Sequence, residues 1–207
     1  MNYIVTGAAG FIGYHTAKAL LENNHTVIAI DNINNFYDIK LKNERINSLK
    51  EFKNFNLEEI NLNNKNDILD LSNNMKNINA VIHLAAYAGV RTSIIDPWAY
   101  QDNNVNATLN LLELCKKLNV KNFTLASTSS VYGDSKNLPT KETDNTSFPL
   151  SPYAASKISA EILAYTYHYH FKINVAILRF FTVYGPFGRP DMVIFKFLKS
   201  ILDNNPI

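Results

Sequence analysis

Tyr153 and Lys157 stand four residues apart in Tyr153-Ala154-Ala155-Ser156-Lys157, which opens an apolar-periodic helix predicted over about residues 153–170. Residues at that spacing share a helix face, so the phenol and the ammonium point the same way. A free tyrosine has a pKa of about 10, too high for a base at neutral pH. A neighbouring cation stabilises the phenolate and lowers that value. Such a phenol could take a proton from an alcohol while a hydride leaves for an acceptor. The hydroxyl cluster Ser127-Thr128-Ser129-Ser130 offers a third group, with Thr128 best placed to hydrogen-bond the same oxygen. On its own, a Tyr-x-x-x-Lys pair is an ordinary feature of a helix surface. The chemistry requires a hydride acceptor elsewhere in the chain.

Thr6-Gly7-Ala8-Ala9-Gly10-Phe11-Ile12-Gly13 supplies a place for one. It follows the apolar strand Tyr3-Ile4-Val5 and opens a helix. Gly7 allows a tight turn, Gly10 lets a diphosphate approach the backbone, and Gly13 allows close helix packing. The helix N-terminus offers free N–H groups and a positive dipole end to the phosphates. A second strand, Thr26–Ile30, ends in Asp31, 18 residues beyond Gly13. A carboxylate there accepts both ribose hydroxyls of NAD and repels the 2′-phosphate of NADP. Without this context the glycines would mark an ordinary turn.

The elements that must position these groups alternate. Strands are predicted over Tyr3–Val5, Thr26–Ile30, Phe55–Ile60, Ala80–Ala86, Lys121–Ala126 and Ile173–Leu178. Helices are predicted after the glycine turn, over Leu41–Leu49, within Asn61–Asn79, over Trp98–Leu118, over Tyr153–His170 and from Asp191. Strand-helix alternation predicts an α/β fold, a Rossmann-type doubly wound parallel sheet with its site at the carboxyl ends of the strands. Gly7, Asp31, Ala85, Thr128 and Thr182 all fall at strand ends. Asn61 and Leu62, after the third strand, lie where an adenine would sit, and the small residues of Leu84-Ala85-Ala86 let backbone lie close to a cofactor. His83 reads as a satisfied core histidine.

The 207 residues, 46% hydrophobic, suffice for one domain or one domain and part of another. A net charge of +2 argues against nucleic acid or an anionic membrane as partner. The one cysteine, Cys115, lies in an apolar helical run and reads as a core thiol in a reducing compartment. His168 and His170 are two apart on a helix and share no face, so no metal site is expected. No signal peptide is read before the first strand and no apolar run approaches the ~20 residues that span a bilayer. The expected location is cytoplasmic.

The chain resembles the extended short-chain dehydrogenase/reductase superfamily, and within it the NAD-dependent nucleotide-sugar epimerases. Val5–Gly13, His83–Ala86, Ser127–Gly133, Tyr153–Lys157 and Leu178–Met192 carry the resemblance. The last stretch, with Ala88-Gly89-Val90-Arg91, is similar to the UDP-glucuronate 4-epimerase branch. The resemblance implies 4-epimerisation of a UDP-sugar through a transient 4-keto sugar, with a uronate product that suits polysaccharide synthesis. It implies Thr128, Tyr153 and Lys157 as catalytic residues. It implies Gly7, Gly10, Phe11, Ile12, Gly13, Asp31, Asn32, Asn61, Leu62, Leu84, Ala85, Ala86 and Asn103, with Tyr153 and Lys157, as NAD contacts. For the sugar it implies Ser127, Thr128 and Tyr153, with Thr182, Arg189 and Arg91 as partners of a C6 carboxylate. Either arginine could instead be a solvated loop charge.

The chain departs from its relatives at Asn61, where many have Asp, and at Tyr87, where Gln is common. It is also shorter than they are, which implies residues 1–178 as the NAD domain and 179–207 as the start of a substrate domain. A homodimer through the two long helices is implied as well. Alternatives are a 4-epimerase of a neutral UDP-hexose or UDP-N-acetylhexosamine, and an inactive NAD-binding fragment. A 4,6-dehydratase would need an acid pair where Ser129 and Ser130 stand.

Overall fold

The computed structural model describes residues 1–206. Six strands form one parallel sheet: β1 (Asn2–Thr6), β2 (Thr26–Ile30), β3 (Phe55–Glu58), β4 (Ile78–His83), β5 (Asn122–Thr128) and β6 (Asn174–Phe180). Their order across the sheet is β3-β2-β1-β4-β5-β6. The chain starts in the middle, winds outward to β3, then crosses back to β4. The crossing point between β1 and β4 leaves a crevice at the carboxyl ends of the strands.

Alternate side chains of each strand feed the two faces. On one face Ile4, Phe123 and Leu125 pack with α6 (Ala107–Lys117) and α7 (Pro152–Phe171), through Leu111, Leu112, Cys115, Ala160 and Ala164. On the other, Val5, Val27 and Ala29 pack with α1 (Phe11–Glu22) and α2 (Ile39–Lys50), through Tyr14, Ala17, Leu21, Ile46 and Leu49. Cys115 is fully buried, which pushes its thiol up to about 12.

The predicted strands and helices appear with ends shifted by a few residues, except in two places. Val90–Ile95, outside every predicted helix and strand, forms the short helix α4. The helix expected over Trp98–Leu118 is broken into α5 (Pro97–Tyr100), a π-helical segment (Gln101–Asn106) and α6. The short helix within 61–79 is α3 (Lys65–Ser72). Ser151 caps α7 by accepting the Ala154 N–H, with Pro152 in the first turn, so Tyr153 enters at a firmly held helix start. A last helix, α8 (Val193–Leu202), carries apolar side chains but buries none. No helix of the structure is long and apolar enough to cross a membrane.

Candidate active site

The turn after β1 is held by main chain. Gly7 has φ +71°, donates to the Ile30 carbonyl at 2.8 Å, and its own carbonyl accepts the Gly10 N–H at 2.9 Å. A Cβ at Gly7 would come within 2.7 Å of the Ala85 nitrogen, and one at Gly13 within 2.0 Å of the Gly7 carbonyl oxygen. Gly13 is therefore required by the turn itself as well as by helix packing. Thr6 ties this turn to the end of β4: its hydroxyl accepts the Leu84 and Ala85 N–H groups at 3.2 and 3.1 Å. His83 lies between Thr6 (Nδ1, 2.7 Å) and Thr108 (Nε2, 3.1 Å), and burial pushes its pKa down to about 3. It is a satisfied core histidine.

Asp31 closes one side of the crevice. Its carboxylate accepts the Ala9 N–H and the Ile33 N–H, both at 2.9 Å. Burial raises its pKa, while those two N–H donors and nearby Lys42 oppose the rise. The cleft beside it is lined by Gly7, Gly10, Asp31, Asn32, Asn61, Leu62, Leu84, Ala85, Ala86 and Asn103. Every one of these was anticipated as a cofactor contact. Asn34, Phe36, Tyr37, Lys42, Ile60 and Tyr87 complete it and were not.

A second cleft shares Gly7, Gly10, Phe36, Tyr37, Leu84 and Ala86 with the first, so the two form one groove across the strand ends. Its far end gathers Ser127, Thr128, Tyr153, Lys157, Thr182 and Arg189, together with Phe11 and Ile12. Arg91 is not among them. It sits exposed on α4, directly after Val90, which does line the groove.

The electrostatics at this end differ from expectation in one respect. Burial raises the Tyr153 pKa, and the hydrogen-bonding Thr128 hydroxyl and the Arg189 cation only partly offset it. The Lys157 ammonium instead donates to the Ala126 carbonyl at 2.9 Å. Burial pushes its pKa down to about 8, with Glu161 opposing. In the protein alone, Lys157 does not lower the phenol.

Glu161, one further turn along α7, was missed. It receives the Ser127 hydroxyl and a two-pronged ion pair from Arg179, at 3.1 Å (Nε) and 2.7 Å (Nη2). Ser127 thus lines the groove with its hydroxyl committed to a buried acid. The regular spacing of Tyr153, Lys157 and Glu161 was the available signal. Arg189 is paired with Asp191, Nε to Oδ1 at 3.0 Å, and lies over the Phe36 ring at 5.8 Å. Among the described residues no group of three or more His, Cys, Asp or Glu could hold a metal ion.

The groove can therefore hold an extended anion-bearing ligand along the glycine turn and a hydroxylated or acidic group beside Tyr153. The floor fits a dinucleotide: glycines stand where a Cβ would collide with main chain, at the N-terminus of a long helix.

A family model described as the NAD dependent epimerase/dehydratase family matches residues 3–207. A UDP-glucuronate 4-epimerase of Thermodesulfobacterium geofontis is 48% identical over 205 residues, which are 99% of this chain and 63% of that protein. The crystal structure of UDP-glucuronic acid 4-epimerase from Bacillus cereus, in complex with UDP-glucuronic acid and NAD, superposes with a TM-score of 0.91 at 41% identity. The match covers 100% of this chain and 64% of that one. UDP-glucose 4-epimerase from Thermotoga maritima, with UDP-glucose, superposes with a TM-score of 0.89 at 31% identity, covering 100% of this chain and 65% of that one. The chain thus spans less than two thirds of the length of each.

Proposed function

Because the chain belongs to the NAD dependent epimerase/dehydratase family, we propose that it holds the NAD site and the catalytic base of an enzyme that interconverts UDP-glucuronate and UDP-galacturonate. The observation that carries this reading is the single groove: the glycine turn and Asp31 at one end, Tyr153, Thr128 and Arg189 at the other.

NAD, when bound, supplies a reversible hydride acceptor for the sugar C4. Everything else falls to the chain. The glycine turn and the start of α1 bind the diphosphate, and Asp31 accepts from the adenosine ribose hydroxyls. Asn61, Leu62 and Asn103 line the adenine end. Tyr153 takes the proton of the sugar 4-hydroxyl and returns it after the 4-keto sugar has turned over. Thr128 holds the same oxygen. Lys157, with its pKa already near 8, holds the nicotinamide ribose. Bound cofactor adds positive charge beside the phenol and offsets the burial that raises it. Arg189 and Thr182 receive the C6 carboxylate.

A neutral UDP-sugar is the second reading, and one observation favours it: Arg189 already has a carboxylate partner in Asp191. Ser129 and Ser130, where a 4,6-dehydratase needs acids, support epimerisation over elimination. Residues 179–207 fit the start of a substrate domain. A homodimer fits the exposure of Trp98, Tyr165 and Tyr169 on the helices that would pair. A cytoplasmic location fits the lone buried thiol, and a UDP-galacturonate product fits polysaccharide synthesis.

The test is a proton NMR time course with UDP-glucuronate and no added cofactor, run on this chain and on the full-length protein. Appearance of UDP-galacturonate supports the reading. Turnover of UDP-glucose with UDP-glucuronate inert replaces it by the second. Arg189→Ala should reduce uronate turnover about a hundredfold, the worth of a charge-assisted pair, and spare a neutral sugar.

A further inference from the structure

Arg45 is a fully buried side chain that the chemistry above does not use. It stands on α2 and its hydrogen-bond partners include no carboxylate. Nη1 donates to the Ala9 carbonyl at 2.8 Å and to the Tyr37 hydroxyl at 2.6 Å. Nη2 donates to the Phe187 and Gly188 carbonyls, the longer contact being 3.4 Å. Nε is buried and has no partner among the described residues. Burying a guanidinium against neutral carbonyls, with one donor left over, is unfavourable compared with an apolar side chain of the same size. What arginine alone provides is a rigid fork that grips two separate segments at once.

Those segments are the two functional ends of the groove. Ala9 lies inside the glycine turn. Phe187 and Gly188 immediately precede Arg189. The loop between is docked on α1 as well: His15 Nε2 bonds the Pro186 carbonyl at 2.8 Å, and the Phe187 ring packs on Tyr14 with centroids 5.5 Å apart. Phe187 takes a left-handed conformation, φ +56°, unusual for a residue with a side chain. The Arg45 fork grips the carbonyl of that residue.

We propose that Arg45 is a positioning residue that couples the glycine turn to the loop presenting Arg189, so that a dinucleotide diphosphate on the turn orders the sugar end of the groove. The proposal rests on the dinucleotide reading above. An anion held at the start of α1 fixes the turn, the fixed Ala9 carbonyl fixes the fork, and the fork fixes the carbonyls next to Arg189. Binding at one site then costs less once the other is ordered.

The test is hydrogen exchange by mass spectrometry on peptides spanning Gly185–Asp191, with and without NAD, alongside calorimetry for NAD itself. NAD should slow exchange in this loop about tenfold in the parent protein. Arg45→Met should still bind NAD, yet lose the slowing. Arg45→Lys keeps the charge but cannot span both carbonyl sets, and should lose it too, which covers the case of a methionine variant that fails to fold. Equal slowing in Arg45→Lys and the parent overturns the proposal, as does an NAD-bound parent whose loop exchange is unchanged. A parent that binds no NAD by calorimetry overturns the cofactor reading and this one together.

Discussion

The glycine turn meets the groove with main chain, the buried Asp31 carboxylate beside it; the tyrosine end meets it with the side chains of Tyr153 and Lys157, whose ionisation burial has moved. The first end is sensitive to a single added carbon, because Gly7 and Gly13 face backbone at 2.7 and 2.0 Å. The second end tolerates shape and is sensitive to charge: Tyr153 is held above, and Lys157 well below, its ordinary value. A site that must bind one fixed cofactor can be built from geometry. A site that must move a proton depends on titratable groups, and burial is what tunes them.

The comparison breaks most visibly at Tyr153. Tyr153→Phe should reduce turnover in the full-length protein about a thousandfold, the scale of a lost general base, and leave the thermal midpoint and NAD binding near those of the parent. Steady-state rates with melting curves decide it; loss of the fold in that variant would contradict the division of labour. Gly13→Ala should do the reverse. Helix propensity favours alanine by about 1 kcal/mol, but the clash with the Gly7 carbonyl costs more, for a net loss of about 3 kcal/mol in urea denaturation. A neutral outcome would mean the turn can open.

The smallest effect sharpens the comparison at the junction of the two ends, His83. Its folded pKa of about 3 lies below the unfolded value of 6.5, so the unfolded chain binds the extra proton between those limits. Stability is full above pH 6.5 and falls as pH drops toward 3. By pH 5 the loss is about 2 kcal/mol. Urea midpoints at pH 7 and pH 5 should therefore differ more in the parent than in His83→Asn, since the carboxylates common to both cancel. Identical acid losses would place the titration on another group.

What could be read from the sequence was whatever a short stretch decides for itself. The glycine spacing, Asp31 at a strand end and the Tyr153–Lys157 pair are local patterns, and each arrives in the groove. What could not be read depends on partners far along the chain. Arg45 looks like one more charge on a polar helix until Ala9 and Phe187 close around it. Glu161 looks solvated until Arg179 arrives from β6. The break at Gln101–Asn106 was hidden for a similar reason. The apolar spacing of Val105, Leu109 and Leu112 runs through it without a gap. The break surrounds Asn104, a buried side chain that accepts the Tyr87 N–H at 2.8 Å and donates to the Ser156 hydroxyl at 2.9 Å.

That π-helical turn has a consequence for how the gene can change. A wider turn holds one residue more than an α-turn, so the helix before it and the helix after it are out of phase by about 100°. Substitutions leave that phase alone. Loss of a single codon between Gln101 and Asn106 would restore a continuous α-helix and rotate one side against the other. Asn104 could not then meet Tyr87 and Ser156 while α6 kept Leu111 and Leu112 in the core. These six positions are therefore closed to deletion whatever substitutions they accept, a constraint on length that composition alone does not reveal.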